Sequence, residues 1–383
     1  MSMEYRKLSS FIEKTQYGYT AEETSLESGD AKYLRITDIV PYFVDKERVP
    51  FCTISDDKKK QYLVKENDLL IARTGATTGY NLVVPKGFDN YIFASYLVRY
   101  YYDKDELYPL YLKHVLKSQQ YYGFVNNYIG GSAQPGMNPK AFGRFEVPYV
   151  DYDNQKKIAS ILSSYDNLIE VNNKRIKVLE QMAENLYKEW FVRFRFPGHE
   201  TAEFENGIPK GWRLLQLKDI SSFQYGKMPE QDHITERGYP IFTGYRISGC
   251  YDRFMYEEPM LIVVARGVGG TGNIKISPPQ SFITNLAIIF LLNDPELYIY
   301  YLYHLFQIQN LRYLDSGAAQ SQITIEDLQT IRVIIPNDNL LKKFNDMYSV
   351  IACELNILEE HNTNLKKQRD LLLPRLMSGK LEV

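Results

Sequence analysis

Two arginines stand at the mouths of glycine-rich turns that the chain makes twice. Ala72 to Gly79 reads ARTGATTG behind the apolar run Leu69 to Ile71, and Ala265 to Gly272 reads ARGVGGTG behind Leu261 to Val264. Glycines let backbone approach a surface closely or take positive φ, and a planar guanidinium carried there suits a phosphate or a base edge. Neither turn carries the GxxxxGK motif of a nucleotide triphosphate cradle. Neither has the strand, GxGxxG, helix setting with a later acidic residue that a dinucleotide needs. Arg73 and Arg266 therefore point to recognition rather than to phosphate chemistry, with pairing to a carboxylate as the plainer alternative.

Other groups that could do chemistry fall away on spacing. The histidines (His114, His199, His233, His304, His361) are scattered, and Cys52, Cys250 and Cys353 are far apart and odd in number, so neither a metal site nor a disulfide framework is expected. Ser277 to Gln280 reads SPPQ, similar to the tetrapeptide with which amino-methyltransferases hold a flipped adenine. Gln280, however, stands where an aromatic residue should stack on the base, so it reads as a turn. No Ser/His/Asp, Cys/His or paired-carboxylate constellation stands out.

The elements around the turns repeat as well. Gly130 to Phe142 (GGSAQPGMNPKAF) is answered by Ser316 to Leu328 (SGAAQSQITIEDL), and Arg6 to Gly18 (RKLSSFIEKTQYG) by Leu215 to Lys227 (LQLKDISSFQYGK). Each copy runs through a β-branched strand to a proline and then a long amphipathic helix. Within a module, Tyr33 to Ile39, Leu69 to Ala72 and Phe145 to Tyr149 read as strands and Leu107 to Asn126 as helix. Breakers at Pro197, Gly198, Gly207, Pro209 and Gly211 mark the linker into the second module.

The helices carry a heptad-like seam. From Asn154 to about Arg193 it includes Ile158, Tyr165, Leu168, Leu179 and Leu186, interrupted by Asn172. From about Leu340 to Met377 it includes Phe344, Ile351, Leu358, Leu365 and Leu372, broken near its end by Pro374. About 40 residues make a rod of roughly 60 Å, which must bury its stripe somewhere. Pairing of the two helices, antiparallel, is the economical solution. A polar residue such as Asn172 in the seam fixes register if it finds a mate.

Composition bounds the class. The 383 residues hold two domains of ordinary size, and 44% hydrophobic content with 24% charged is globular. No run approaches a membrane span and the N-terminus MSMEYRK lacks a signal-peptide apolar segment, so a cytoplasmic protein is expected. The net charge of −2 rules out a generic polyanion binder; nucleic-acid binding would rest on local clusters or on a more basic partner. Most of the 32 tyrosines are expected in core and rim packing.

Taken in order, YLRITDI (Tyr33 to Ile39), the arginine turn, the GSAQPGMN stretch, the proline-ended strand, the helix and the IPKGW segment (Ile208 to Trp212) resemble the specificity subunit of type I restriction-modification systems, over essentially the whole chain. The second module departs from the pattern where AAQSQIT (Ala318 to Thr324) lacks the glycine and proline of the first copy. The resemblance implies an α+β chain. Two mixed α/β target recognition domains, in internal pseudo-two-fold repeat, are separated by two long helices forming an antiparallel coiled coil. Expected boundaries are 1–152 and 197–337 for the recognition domains, with the linker in the latter, and 153–196 and 338–383 for the helical regions. The resemblance also implies a non-catalytic subunit on double-stranded DNA. No cofactor is expected in this chain. Two methyltransferase subunits would bring S-adenosylmethionine, and restriction subunits, where present, ATP and magnesium. Base-edge contacts are expected from Arg35, Thr37, Arg73, Thr74, Thr77, Thr78, Gln134 and Asn138 in the first module. In the second they are expected from Arg246, Arg266, Thr271, Asn273, Lys275, Gln320 and Gln322. Two other classes stay open at this point: a helical scaffold that reads no DNA, and an enzyme with a dispersed site.

Overall fold

The computed structural model describes residues 4–21, 28–129, 136–267, 270–315 and 322–377. One sheet plan is built twice. In the first module Ile12–Tyr17, Leu97–Tyr102, Leu69–Ala72 and Asn81–Val83 lie side by side in that order, every neighbour antiparallel. In the second, Ser221–Tyr225, Ala287–Leu292, Leu261–Val264 and Ile274–Ile276 repeat both order and sense. The central strands Leu69–Ala72 and Leu261–Val264 are buried at every residue, which is why they read as unbroken apolar runs rather than as alternation.

A second sheet in each module contains one parallel pair, Ala31–Leu34 with Tyr91–Phe93 and Tyr239–Phe242 with Phe282–Ile283. A two-stranded closure then ties the module's first strand to the strand leading into its long helix. Glu4–Lys7 pairs with Glu146–Tyr149, and Arg213–Gln216 with Arg332–Ile335.

The chain forms two compact units, residues Met1–Lys174 with Leu358–Val383 and residues Arg175–Ile357. The first packs Tyr111, Tyr121, Phe142 and Val147 of the module against Ile158 and Leu162 of the first long helix and Leu373 and Leu376 of the second. The second packs Phe290 and Phe306 against Tyr187, Trp190, Phe191, Leu341 and Phe344.

The long helices are Tyr152–Tyr187, ending in a wide π turn at Lys188–Val192, and Asp338–Met377. Within the first unit Asp166 pairs with Arg369 and Asn172 with Asn362, so residue numbers rise on one helix as they fall on the other. Within the second unit Arg175 meets Glu354 and Tyr187 meets Phe344 in the same antiparallel sense. Asn172 donates to Asn362 Oδ1 at 3.0 Å, and Asn362 donates to Asn173 Oδ1 at 2.9 Å, so the polar residue in the seam has its mate. Of the seam residues, Ile158, Phe344 and Leu358 are buried, and Tyr165, Leu179, Leu186, Ile351, Leu365 and Leu372 are half-buried.

Four expectations need correction. Leu168 is 53% exposed; Ile169, fully buried, takes its place, because the stripe drifts around a helix of 3.6 residues per turn. The second long helix runs through Pro374, which near a C-terminus removes only one donor. The helix expected from Leu107 to Asn126 is two, Pro109–Val115 and Gln119–Ile129, the second opened by the Ser118 hydroxyl accepting from the Tyr121 amide. The strand expected to reach Ile39 stops at Leu34, where the Asp38 carboxylate accepts from the Arg35 amide and closes a turn.

In the first unit, the module is clamped to both long helices through one carboxylate. Buried Asp166 accepts from Lys113 at 2.7 Å, from Arg369 at 2.8 Å and from the Tyr42 hydroxyl at 2.8 Å. Burial favours protonation of Asp166, but Lys113, His114 and Arg369 outweigh it and hold the carboxyl below its usual range. The second unit solves the same problem with rings: His304 lies among Tyr187, Tyr303, Phe344 and Tyr348.

Candidate nucleic-acid interface

Each arginine turn links a fully buried central strand to its return strand. Gly79 donates to the Ala72 carbonyl at 2.8 Å and Gly272 to that of Val264 at 2.9 Å, which closes the two loops. A floor strand runs beneath each entrance: Ala72 lies opposite Leu97, and Val264 opposite Ala287.

This register revises the alignment read from sequence. The Arg73 amide donates to the Tyr96 carbonyl at 3.1 Å, and the matching bond in the second module is made by Ala265 to Leu286 at 2.8 Å. Likewise Met137 donates to the Arg73 carbonyl at 2.9 Å and Ile323 to that of Ala265 at 3.0 Å. Arg73 is therefore the counterpart of Ala265, and Thr74 that of Arg266. The second turn holds one more residue, which sequence similarity absorbed by sliding ARG onto ART. The far ends, Gly79 and Gly272, correspond as read.

Several candidates are committed to structure. Thr78 and Thr271 are buried, and their hydroxyls donate to Gly75 at 2.8 Å and Gly267 at 3.0 Å, so they close the turns rather than face outward. Arg35 spreads its fork over Asp38, at 2.8 and 3.0 Å. Asn138 caps the short helix Pro139–Phe142 by accepting from Ala141, and Thr324 does the same for Ile325–Gln329 in the second module. Thr77 donates to the Thr74 carbonyl at 3.4 Å, with both residues half-buried. Thr37, Arg246, Arg266, Asn273 and Lys275 are exposed, while Arg73 and Gln322 are half-buried. Gln134 and Gln320 lie outside the described residues.

Among the described residues, neither Arg73 nor Arg266 makes a side-chain hydrogen bond or an ion pair, unlike Arg35. Each guanidinium instead sits over a tyrosine, Tyr17 and Tyr225, that sequence reasoning did not single out. The available signal was the QYG triplet at Gln16 to Gly18 and Gln224 to Gly226, seen as a module boundary but not as part of the site. Nothing in the sequence marked Asp166, whose partners come from three separate segments. Among the described residues no group of three or more His, Cys, Asp or Glu is placed to hold a metal ion, and no helix is long and apolar enough to cross a membrane.

A family profile described as the type I restriction modification DNA specificity domain matches residues 2–181 and again 209–365. The MjaIX specificity subunit of a type I restriction enzyme from Methanocaldococcus jannaschii is 28% identical over 306 residues, covering 73% of this chain and 71% of the relative. The MjaVIII specificity subunit of the same organism is 25% identical over 353 residues, covering 85% and 81%. The crystal structure of the S subunit of a type I restriction-modification system from M. genitalium superposes with a TM-score of 0.62 at 16% identity, covering 98% of this chain and 96% of that one, a likeness of fold. With a doubled sheet plan, two arginine turns and a paired-helix seam already in place, the two profile matches across most of the chain show that it belongs to the family of type I restriction-modification DNA specificity proteins.

Proposed function

We propose that this chain is the non-catalytic, sequence-reading subunit of a type I restriction-modification assembly, in which each module reads one half of a bipartite, gapped site in double-stranded DNA. The observation that carries the reading is the duplication itself. One sheet plan, made twice, twice delivers an arginine with no acceptor of its own among the described residues to a turn at the end of a buried central strand. Recognition from a sheet-anchored loop keeps a side chain in place for bidentate contact to a base edge.

The paired helices would set the spacing of the half-sites and carry two methyltransferase subunits. Supporting this, the first helix keeps a second apolar line at heptad-like spacing outside its seam. Ile161, Leu168 and Val171 are exposed in the first unit, and Val178 and Met182 in the second. Met347, Val350 and Ile357 are exposed on the second helix. S-adenosylmethionine, and ATP with magnesium where restriction subunits join, would be held by the partners, since neither arginine turn has a nucleotide-binding pattern. A near-neutral chain also leaves much of the phosphate attraction to those partners.

The test is to map adenine methylation in cells expressing the chain with its methyltransferase subunit, with and without this gene. A gapped, two-part motif that vanishes with the gene is expected. An active methyltransferase whose motif is unaffected would leave a scaffold role for the helices. Val178→Glu with Met182→Glu should abolish co-purification of the methyltransferase while leaving thermal melting unchanged.

A further inference from the structure

Each arginine sits over an equivalent tyrosine although the two arginines do not occupy equivalent positions. Arg73 and Arg266 leave the strand one residue apart in register, yet the guanidinium carbon of Arg73 lies 5.2 Å from the Tyr17 ring centre and that of Arg266 lies 5.6 Å from the Tyr225 ring centre. Tyr17 and Tyr225 are true counterparts, paired with Val98 and Ile288 on equivalent strands.

Each tyrosine is locked on both sides. Before it, a glutamine is tied to a tyrosine hydroxyl: Tyr101 donates to Gln16 Oε1 at 2.7 Å, and Gln224 donates to the Tyr256 hydroxyl. After it, a glycine presses on the parallel strand so closely that a Cβ would stand 2.2 Å from the Ala94 carbonyl oxygen at Gly18 and 2.2 Å from that of Thr284 at Gly226. The Gln-Tyr-Gly triplet thus fixes the backbone that carries each tyrosine under its turn, with the Tyr17 ring 50% exposed.

A ring face does something a carboxylate does not. It attracts the cation through its quadrupole and consumes none of its N–H groups, whereas Asp38 occupies those of Arg35. Moreover, the buried Nε of Arg73 has no acceptor among the described residues, and the Tyr17 ring lies beside its guanidinium. We propose that Tyr17 and Tyr225 are positioning residues for DNA read-out. Each holds one arginine pre-organised, its fork without an acceptor among the described residues and so available to the paired acceptors of a guanine edge. This rests on the sequence-reading role given above.

The experiment selects duplexes randomised in both half-sites with the full-length chain bound to its methyltransferase subunits. Wild type is compared with Arg73→Ala, Arg73→Lys, Tyr17→Leu and Tyr17→Phe. Arg73→Ala should lower discrimination at one position of one half-site by about 5- to 150-fold. Tyr17→Leu should relax that same position by about 2- to 10-fold. Arg73→Lys should follow the alanine variant because it lacks the planar fork, and Tyr17→Phe, which keeps the ring face, should restore selectivity. The half-site read by the other module is the internal control for folding and must stay unchanged. A selective wild type whose motif survives Tyr17→Leu, or a Tyr17→Leu complex weakened equally on all sequences, overturns the platform alone. A wild-type complex that selects no two-part motif overturns the recognition role and the platform with it.

Discussion

Removing the Asp166 carboxylate should loosen the first module from the long helices by a predictable amount. Among the described residues, Asp166→Ala leaves Lys113, its side chain 21% exposed, with no anion, leaves Arg369, 10% exposed, only its pair with Asp370 at 2.9 Å, and strips the Tyr42 hydroxyl of its acceptor. Breaking a buried ion pair from one side costs about 3–5 kcal/mol, because the partner charge is left desolvated. For a unit of this size, at about 2–4 °C per kcal/mol, melting should fall by roughly 6–20 °C. Hydrogen exchange read by mass spectrometry should show faster exchange in 152–174 and 358–377, with the core around Phe290 and Phe344 unchanged.

The sign with pH follows from the depressed carboxyl. The stability it contributes is present above the unfolded value near 4 and is lost as pH falls through the lower folded value. Asp166→Asn should lack that acid-side loss. Replacing Asp166, Lys113 and Arg369 together by apolar residues of similar volume should recover most of the stability, since a complete ionic set is often exchangeable for packing. An Asp166→Ala chain that melts within about 1 °C of wild type would refute the reasoning.

Three further outcomes are expected. Four residues inserted into one long helix add about 6 Å and should move the preferred spacer by roughly two base pairs; an unchanged spacer in the methylation motif would sink the ruler role. Gly226→Ala must push its Cβ away from the Thr284 carbonyl and should cost about 1–3 kcal/mol in urea unfolding of the second unit, whereas Gly249→Ala, whose Cβ would meet Ile241 at an ordinary 3.9 Å, provides the contrast. His304 is pushed down to about 4, chiefly by burial among rings, from an ordinary value of 6.5. The second unit should therefore be fully stable above pH 6.5 and lose about 3 kcal/mol as pH falls towards 4, a slope that His304→Phe should flatten.

The sequence by itself settled what local pattern and repetition can settle. Buried strands such as Leu69–Ala72 and Leu261–Val264 are apolar at every position, the helical seams recur every three or four residues, and the duplication shows because two copies of one pattern share a chain. Those signals are contiguous, so no knowledge of long-range pairing is needed to see them, and in order they were enough to mark the family. What only the tertiary structure decided depends on registers and on partners far apart in the chain. A one-residue insertion in the second turn makes Ala265, not Arg266, the counterpart of Arg73, because hydrogen-bond register and residue identity part company there. Thr78 and Thr271 turn inward because the loops need their hydroxyls. Asp166 became a clamp only when Tyr42, Lys113 and Arg369, from three distant segments, converged on it. The two tyrosines under the arginines became visible as part of the site only once a strand from the start of each module was laid beside the floor strand of its turn, since a ring and a guanidinium attract across space and leave no trace in spacing along the chain.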